Sequence, residues 1–376
     1  MTKTILLTGV ACLSIVSVVK PSPVFAHGEN AQEECDCDKN LHVSSGASSH
    51  APIGVMGDHM HGKGEWMLSY RYKHMAMEGN RDGRDDLSPE EIVTSVANRF
   101  SGVAGQPGTL RVVPTKMDMD MHMFGAMYAP TDWLTLMGMA MWMEKDMDLV
   151  TFQGGMGTTR LGSFKTQSEG WGDTSLSGLV KLYEDDVNHV HLNLGVSIPT
   201  GSIKEEGTVL TPMNMNMRMR LPYGMQLGTG TYDLHPGVTY SGVHHDWSWG
   251  AQYSAEIRLE DENDQGYAWG DKHAVTAWGA YEWAPWISTS LRLEGETQGD
   301  IDGIDANIVA PVQTADPDNY GGQRVEAAFG VNLLSTGGVL KGNRLAFEAA
   351  APIYEDLNGP QMKRDYTFTL GWQKAF

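Results

Sequence analysis

An all-β fold, specifically an antiparallel transmembrane β-barrel of about 12 strands, is what this 376-residue sequence predicts. Three observations carry the prediction. The chain opens with an export signal, it breaks after residue 64 into alternating segments of strand length, and the connections between those segments alternate short and long.

Lys3 supplies a positive start, Ile5 to Val19 form an apolar run of 15 residues, and Val24-Phe25-Ala26 ends on the small residue that a signal peptidase requires. Residues 1–26 therefore read as a signal peptide and His27 as the first mature residue. The run is short for a spanning helix, and no other stretch of about 18 apolar residues exists, which excludes a helical membrane protein. With 44 glycines, 11 tryptophans, 13 tyrosines and a net charge of −20, the composition suits an exported all-β protein with acidic loops. The same acidity argues against nucleic acid as a partner.

Residues 27–64 carry no strand pattern and read as a flexible periplasmic leader. The barrel, 65–376, begins with "EWMLSYRYKHMAM". The expected strands are 65–77, 117–128, 133–145, 173–183, 190–200, 226–240, 247–259, 272–283, 286–296, 323–333, 343–353 and 366–376. In "WSWGAQYSAEIRL" (247–259), Trp247, Trp249, Ala251, Tyr253, Ala255 and Ile257 share one face, with polar residues between them. The connections 129–132, 184–189, 241–246, 284–285 and 334–342 are short and predict periplasmic turns. Those at 78–116, 146–172, 201–225, 260–271, 297–322 and 354–365 are long and predict extracellular loops. Within the longest, "SPEEIVTSVANRF" (88–100) has Ser88, Pro89 and Glu91 spaced as a capping box, so a short helix is expected there.

An even strand count returns the chain to the periplasm. The last segment, "YTFTLGWQKAF", puts Tyr366, Phe368, Leu370, Trp372 and Phe376 on one face. It resembles the C-terminal signal read by the barrel-assembly machinery. Expected partners are that machinery, through Phe376, together with outer-membrane lipid and lipopolysaccharide, and a periplasmic metal-handling protein.

A second resemblance lies in "YGMQLGTGTYDLHPGVTYS" (223–241) and "APIGVMGDHMHGKGEWMLSYRY" (51–72). The first is similar to outer-membrane transporters of the "MetA-pathway of phenol degradation" type, and the second resembles the start of the barrel in metal-associated members of that group. The resemblance implies an outer-membrane transporter and supplies no catalytic residues.

Charge sets which face points where, because an Arg or Lys facing lipid at the midplane costs about 2–4 kcal/mol. Arg71 and Lys73 therefore point to the lumen, with Met67, Met75 and Met77 at the same parity. Glu256, Arg258, Arg292, Glu294, Glu326 and Glu348 are lumen-lining by the same argument, and most are expected to pair and brace the wall.

Methionine is the unusual residue here, at 23 copies. In "MDMDMHM", Met117, Met119, Met121 and Met123 alternate with Asp118, Asp120 and His122; "MNMNMRM" (213–219) repeats the pattern. The apolar parity of Phe124, Ala126 and Tyr128 suits lipid, which turns Met121 and Met123 inward together with Met137, Met139, Met141 and Met143. Thioethers favour soft ions and imidazole adds capacity for divalent copper. Flexible apolar lining is the competing use of methionine. Candidate metal ligands are Met117, Met119, Met121, His122 and Met123 on the strand, and His27, Cys35, Cys37, His59, Met60 and His61 in the leader.

The expected function is an outer-membrane channel for a small solute, with copper or another soft metal as the leading cargo and a hydrophobic or aromatic compound as the alternative. A non-transporting metal-binding barrel and a lipid hydrolase are the remaining classes. No G-x-S-x-G motif or serine beside a plausible base supports an enzyme. No cofactor is required; copper is the expected ligand.

Overall fold

The computed structural model describes residues 46–376, so the signal peptide at 1–26 and the ligand candidates His27, Cys35 and Cys37 lie outside the described residues. Trp66–Gly83 (β1), Val112–Thr131 (β2), Leu134–Phe152 (β3), Thr174–Glu184 (β4), Asn188–Ile198 (β5) and Asp233–His244 (β6) follow one another around half of a ring. Trp247–Arg258 (β7), Lys272–Ala284 (β8), Ile287–Gln298 (β9), Gly322–Leu334 (β10) and Asn343–Ala375 (β11) complete it. Each strand pairs antiparallel with the next, and β11 also pairs antiparallel with β1, which closes the barrel.

Eleven antiparallel passes cannot close on themselves, since the first and last would run the same way. The 33-residue β11 resolves this by reversing. Arg344 to Leu357 pair with β10, whereas Gln361 to Ala375 pair with β1, and Gly359 lies between them at φ +68°. The ring therefore has twelve passes, as the alternation of strands predicts. Its seam is tied at the terminus, where the Phe376 and Trp66 amides each donate to the other's carbonyl.

Local chemistry explains the short turns. Asp185 Oδ1 accepts from the amides of Val187 and Asn188 at 2.8 and 2.6 Å, an Asx turn that joins β4 to β5. Outward faces carry exposed Leu68, Phe124, Leu136, Leu194, Leu291, Leu293 and Phe329, the apolar belt that meets lipid. Register fixes where that belt ends. Tyr72, His122, Trp142 and Trp171 lie side by side across four strands as an aromatic row. One step further out stand His74, Asp120, Glu144 and Glu169. The carboxylates thus sit beyond the aromatic row, outside the hydrocarbon.

Three expectations are corrected. The segment 146–172 is no loop: β3 runs on to Phe152, and Arg160–Trp171 returns along its upper half while β4 takes the lower half. The alternating pattern continues past the lipid because hairpin pairing needs no membrane. Likewise 201–225 contains the hairpin Glu206–Leu210 and Asn216–Arg220. Of the leader expected at 27–64, the described residues 46–64 are not free but packed among the inner faces of the strands.

The capping box forms as expected, with Ser88 Oγ accepting from the Glu91 amide and Glu91 Oε2 from the Ser88 amide. The helix, Pro89–Ser95, is shorter than the segment 88–100 because Val96 is already extended. Ile92 and Val93 are buried against Val113, Val150 and Phe152, on the face opposite the methionines. The helix therefore braces the rim from outside and does not itself cover the mouth.

Candidate functional site

The lumen has two unlike walls. On β1 to β3 the inward residues form rows: Met67, Met127 and Met137; Arg71, Met123 and Met141; Lys73, Met121 and Met143; Met75, Met119 and Lys145; Met77, Met117 and Met147. Thioethers face the interior because each row shares its parity with Arg71, Lys73 or Lys145, which cannot face lipid. His122 has the other parity and its Nδ1 lies 2.8 Å from the Tyr70 hydroxyl on the outer face. The structure therefore does not bring His122 together with Met117, Met119, Met121 and Met123.

The opposite wall, β6 to β11, is charged and paired. Arg292 binds Glu348 and Glu294, each at 2.7 Å; Arg258 binds Asp233 at 2.5 Å; and Arg364 binds Glu326 at 2.5 Å. Glu256 lies 3.5 Å from Arg258 and 3.9 Å from Lys272. The Glu256 side chain is inward yet 41% exposed, so it borders open space inside the ring. Sequence reasoning missed Asp233, Arg324 and Arg364 as partners, since only register shows which charges meet. Truncating Arg292→Ala leaves Glu348, whose side chain is 2% exposed, without its cation. That should destabilise the barrel by about 3–5 kcal/mol, read as a lower urea midpoint for the folded, heat-modifiable form.

Residues 46–64 plug this lumen at the end that carries the short turns. The Ser48 amide donates to Glu282 at 3.0 Å, and Ser288 donates to the Ala47 carbonyl at 3.0 Å. Arg344 donates to Ala51 O at 2.5 Å, Arg71 to Val55 O at 3.4 Å and Gln252 to Met56 O at 2.9 Å. His191 donates to Gly57 O at 2.9 Å, and Thr135 accepts from the His61 amide at 3.1 Å. These partners come from seven strands around the ring, which only a segment inside it can reach. Ile53 is 1% exposed and rests where Gly371 leaves room: a Cβ there would stand 2.5 Å from Ile53 Cδ1. Gly371→Leu should therefore unseat the plug, seen as faster hydrogen exchange over 50–57 with the barrel amides still protected.

Within the plug, His50, Asp58 and His59 gather, and the His61 ring lies 4.9 Å from that of His59. Burial, followed by the neighbouring His59, pushes the His61 imidazole down to about 3, which keeps it neutral. Met60 packs separately, against Met67, Met127 and Leu179.

The other end is closed by the segment that follows the 206–220 hairpin. Leu221, Tyr223 and Met225 are wholly buried. Lys145 Nζ donates to the carbonyls of Gly224 and Gln226 at 3.0 and 2.5 Å, and Ser168 to that of Met225 at 2.7 Å. Leu227 packs on Met121 and Met143. Beside this cap opens a cleft of about 520 Å³, lined chiefly by apolar side chains including Met213, Met215, Met217, Phe164, Val309 and Leu149. Met213 and Met215, at its border, are 74% and 51% exposed.

No family model matches the sequence, and no curated protein does; the likeness to the phenol-degradation type rests on its two stretches alone. Solved structures do match. An outer-membrane channel from Pseudomonas putida F1, of the COG4313 group, aligns over 86% of this chain and 99% of its own at 13% identity, TM-score 0.53. The transport unit of the autotransporter AIDA-I from Escherichia coli aligns over 86% and 93% at 8% identity, TM-score 0.45. The monoaromatic hydrocarbon channel TodX, as a deltaS2 mutant, aligns over 84% and 90% at 9% identity, TM-score 0.44. At such identities the likeness speaks for the fold alone: this chain has the fold of a bacterial outer-membrane β-barrel.

Proposed function

We propose that the protein is an outer-membrane channel that admits a small, largely apolar solute. The observation that supports this reading is the methionine-lined cleft of about 520 Å³ on the long-loop face. A pocket of that size suits a small organic molecule, and methionine adapts its shape to varied apolar ligands. Beneath the cap, the methionine wall of β1 to β3, interrupted by Arg71, Lys73 and Lys145, extends along the lumen. Copper as cargo lacks equivalent support, because the strand thioethers and His122 lie on opposite faces of β2. Equilibrium dialysis of a radiolabelled monoaromatic hydrocarbon against the purified barrel tests the reading. Saturable binding is expected, with none for a sugar of similar size; equal retention of both would remove the cleft as its basis.

A further inference from the structure

Outside the cleft and the paired charges, one cluster has no role in passage of an apolar solute. His50, Asp58 and His59 each direct a ligand atom to one place, all within 4.8 Å of one another. The residues belong to two arms of the plug, which the Ala51 amide joins by donating to Asp58 Oδ2 at 3.0 Å. The His50 and His59 rings meet edge to face at 4.5 Å, and His61 stands beside them.

The nitrogens are the unusual feature. His50 Nδ1, both nitrogens of His59 and His61 Nε2 are buried and lack a hydrogen-bond partner. His59 Nδ1 lies 3.0 Å from Asp58 Oδ1 but off the line of a hydrogen bond. A buried polar group left unpaired costs about 1–3 kcal/mol, so the other three nitrogens, with no polar partner at all, need an explanation beyond packing. Imidazole nitrogens without partners beside a carboxylate are what a borderline metal ion takes. Tetrahedral bonds of about 2.0–2.1 Å set donors about 3.3 Å apart, which small side-chain rotations reach from this arrangement.

We infer that the plug binds one divalent transition-metal ion of the zinc and copper class through His50, Asp58 and His59, with His61 as a fourth donor. Asp58 supplies charge compensation, and its second oxygen is held by the Ala51 amide, an outer-shell contact that fixes the carboxylate. An ion there ties residue 50 to residues 58–61 and so fastens the plug inside the lumen. The inference stands independently of which solute passes.

The test uses the full chain in detergent, stripped of metal and titrated with Cu(II), Zn(II) and, as a control, Mg(II). The leader's own His and Cys residues stay in place, so the comparison is between variants of one chain. His50→Gln with His59→Gln should bind one Cu(II) fewer per barrel, or bind it at least roughly tenfold more weakly, and lose imidazole nitrogen coupling from the Cu(II) spin-resonance spectrum. Asp58→Asn, which can still accept from Ala51, keeps the fold testable should the double variant fail to assemble, and should weaken binding likewise. Unchanged stoichiometry and affinity in the folded variants, or equal binding of Mg(II), would overturn the site.

Discussion

Removing the plug and the cap together should open the barrel, whereas removing either alone should do little. Residues 46–61 fill the lumen near the short turns, and residues 221–227 seal it beside the cleft. Two closures in series behave like two resistances: current stays low while either remains. In planar bilayers the intact protein should show small, infrequent openings. Deletion of 46–61, or replacement of 221–227 by Gly and Ser, should raise conductance modestly. Both changes in one chain should give a steady conductance several-fold above the sum. The ring itself should survive, because its strand ladders and the charged wall close without either segment. Arg344 would lose Ala51 but keep Asn332 at 2.6 Å. Full conductance after loss of the plug alone would show that the cap does not close the mouth.

Replacing Met213, Met215 and Met217 by serine should weaken binding of a small hydrocarbon roughly tenfold, about 1–2 kcal/mol in total. Each exchange removes apolar area that the ligand would cover, at about 25 cal/mol per Å². These side chains are exposed, so the folded state loses little, and expression and heat-modifiability should stay unchanged. Leucine at the same three positions should retain most of the affinity. That contrast separates the two uses of methionine: a thioether ligand would be abolished by leucine as completely as by serine.

What the sequence made legible follows from periodicity. Strands are read from alternation, and lumen faces from Arg71 and Lys73, because lipid penalises a misplaced cation more than any packing gain offsets. The methionine parity of "MDMDMHM" follows from the same argument, and register places Asp118 and Asp120 beyond the aromatic row of Tyr72, His122 and Trp142. The plug was illegible for a complementary reason. Residues 46–64 have neither period, and their burial is decided by polar groups on seven distant strands. His59 and His61 are legible as donors, with Asp58 beside them in the sequence, whereas His50 is brought to them by the fold of the plug. The cleft likewise gathers side chains from separate loops, such as Phe164, Met213 and Val309, which no local pattern connects. Arg364 lies in the stretch 354–365 that periodicity assigns to a loop, because the reversal inside β11 hides where one pass ends and the next begins.

The central claim, a channel for a small apolar solute, is tested most directly by uptake in cells. Lipopolysaccharide slows apolar compounds at the outer membrane, so a channel should matter most at low external concentration. Initial uptake of a radiolabelled monoaromatic hydrocarbon should be several-fold slower in cells lacking the protein. The intact gene should restore it and the triple serine variant should not, while uptake of a sugar of similar size stays unchanged. Equal hydrocarbon uptake with and without the protein, or a defect confined to the sugar, would contradict the account.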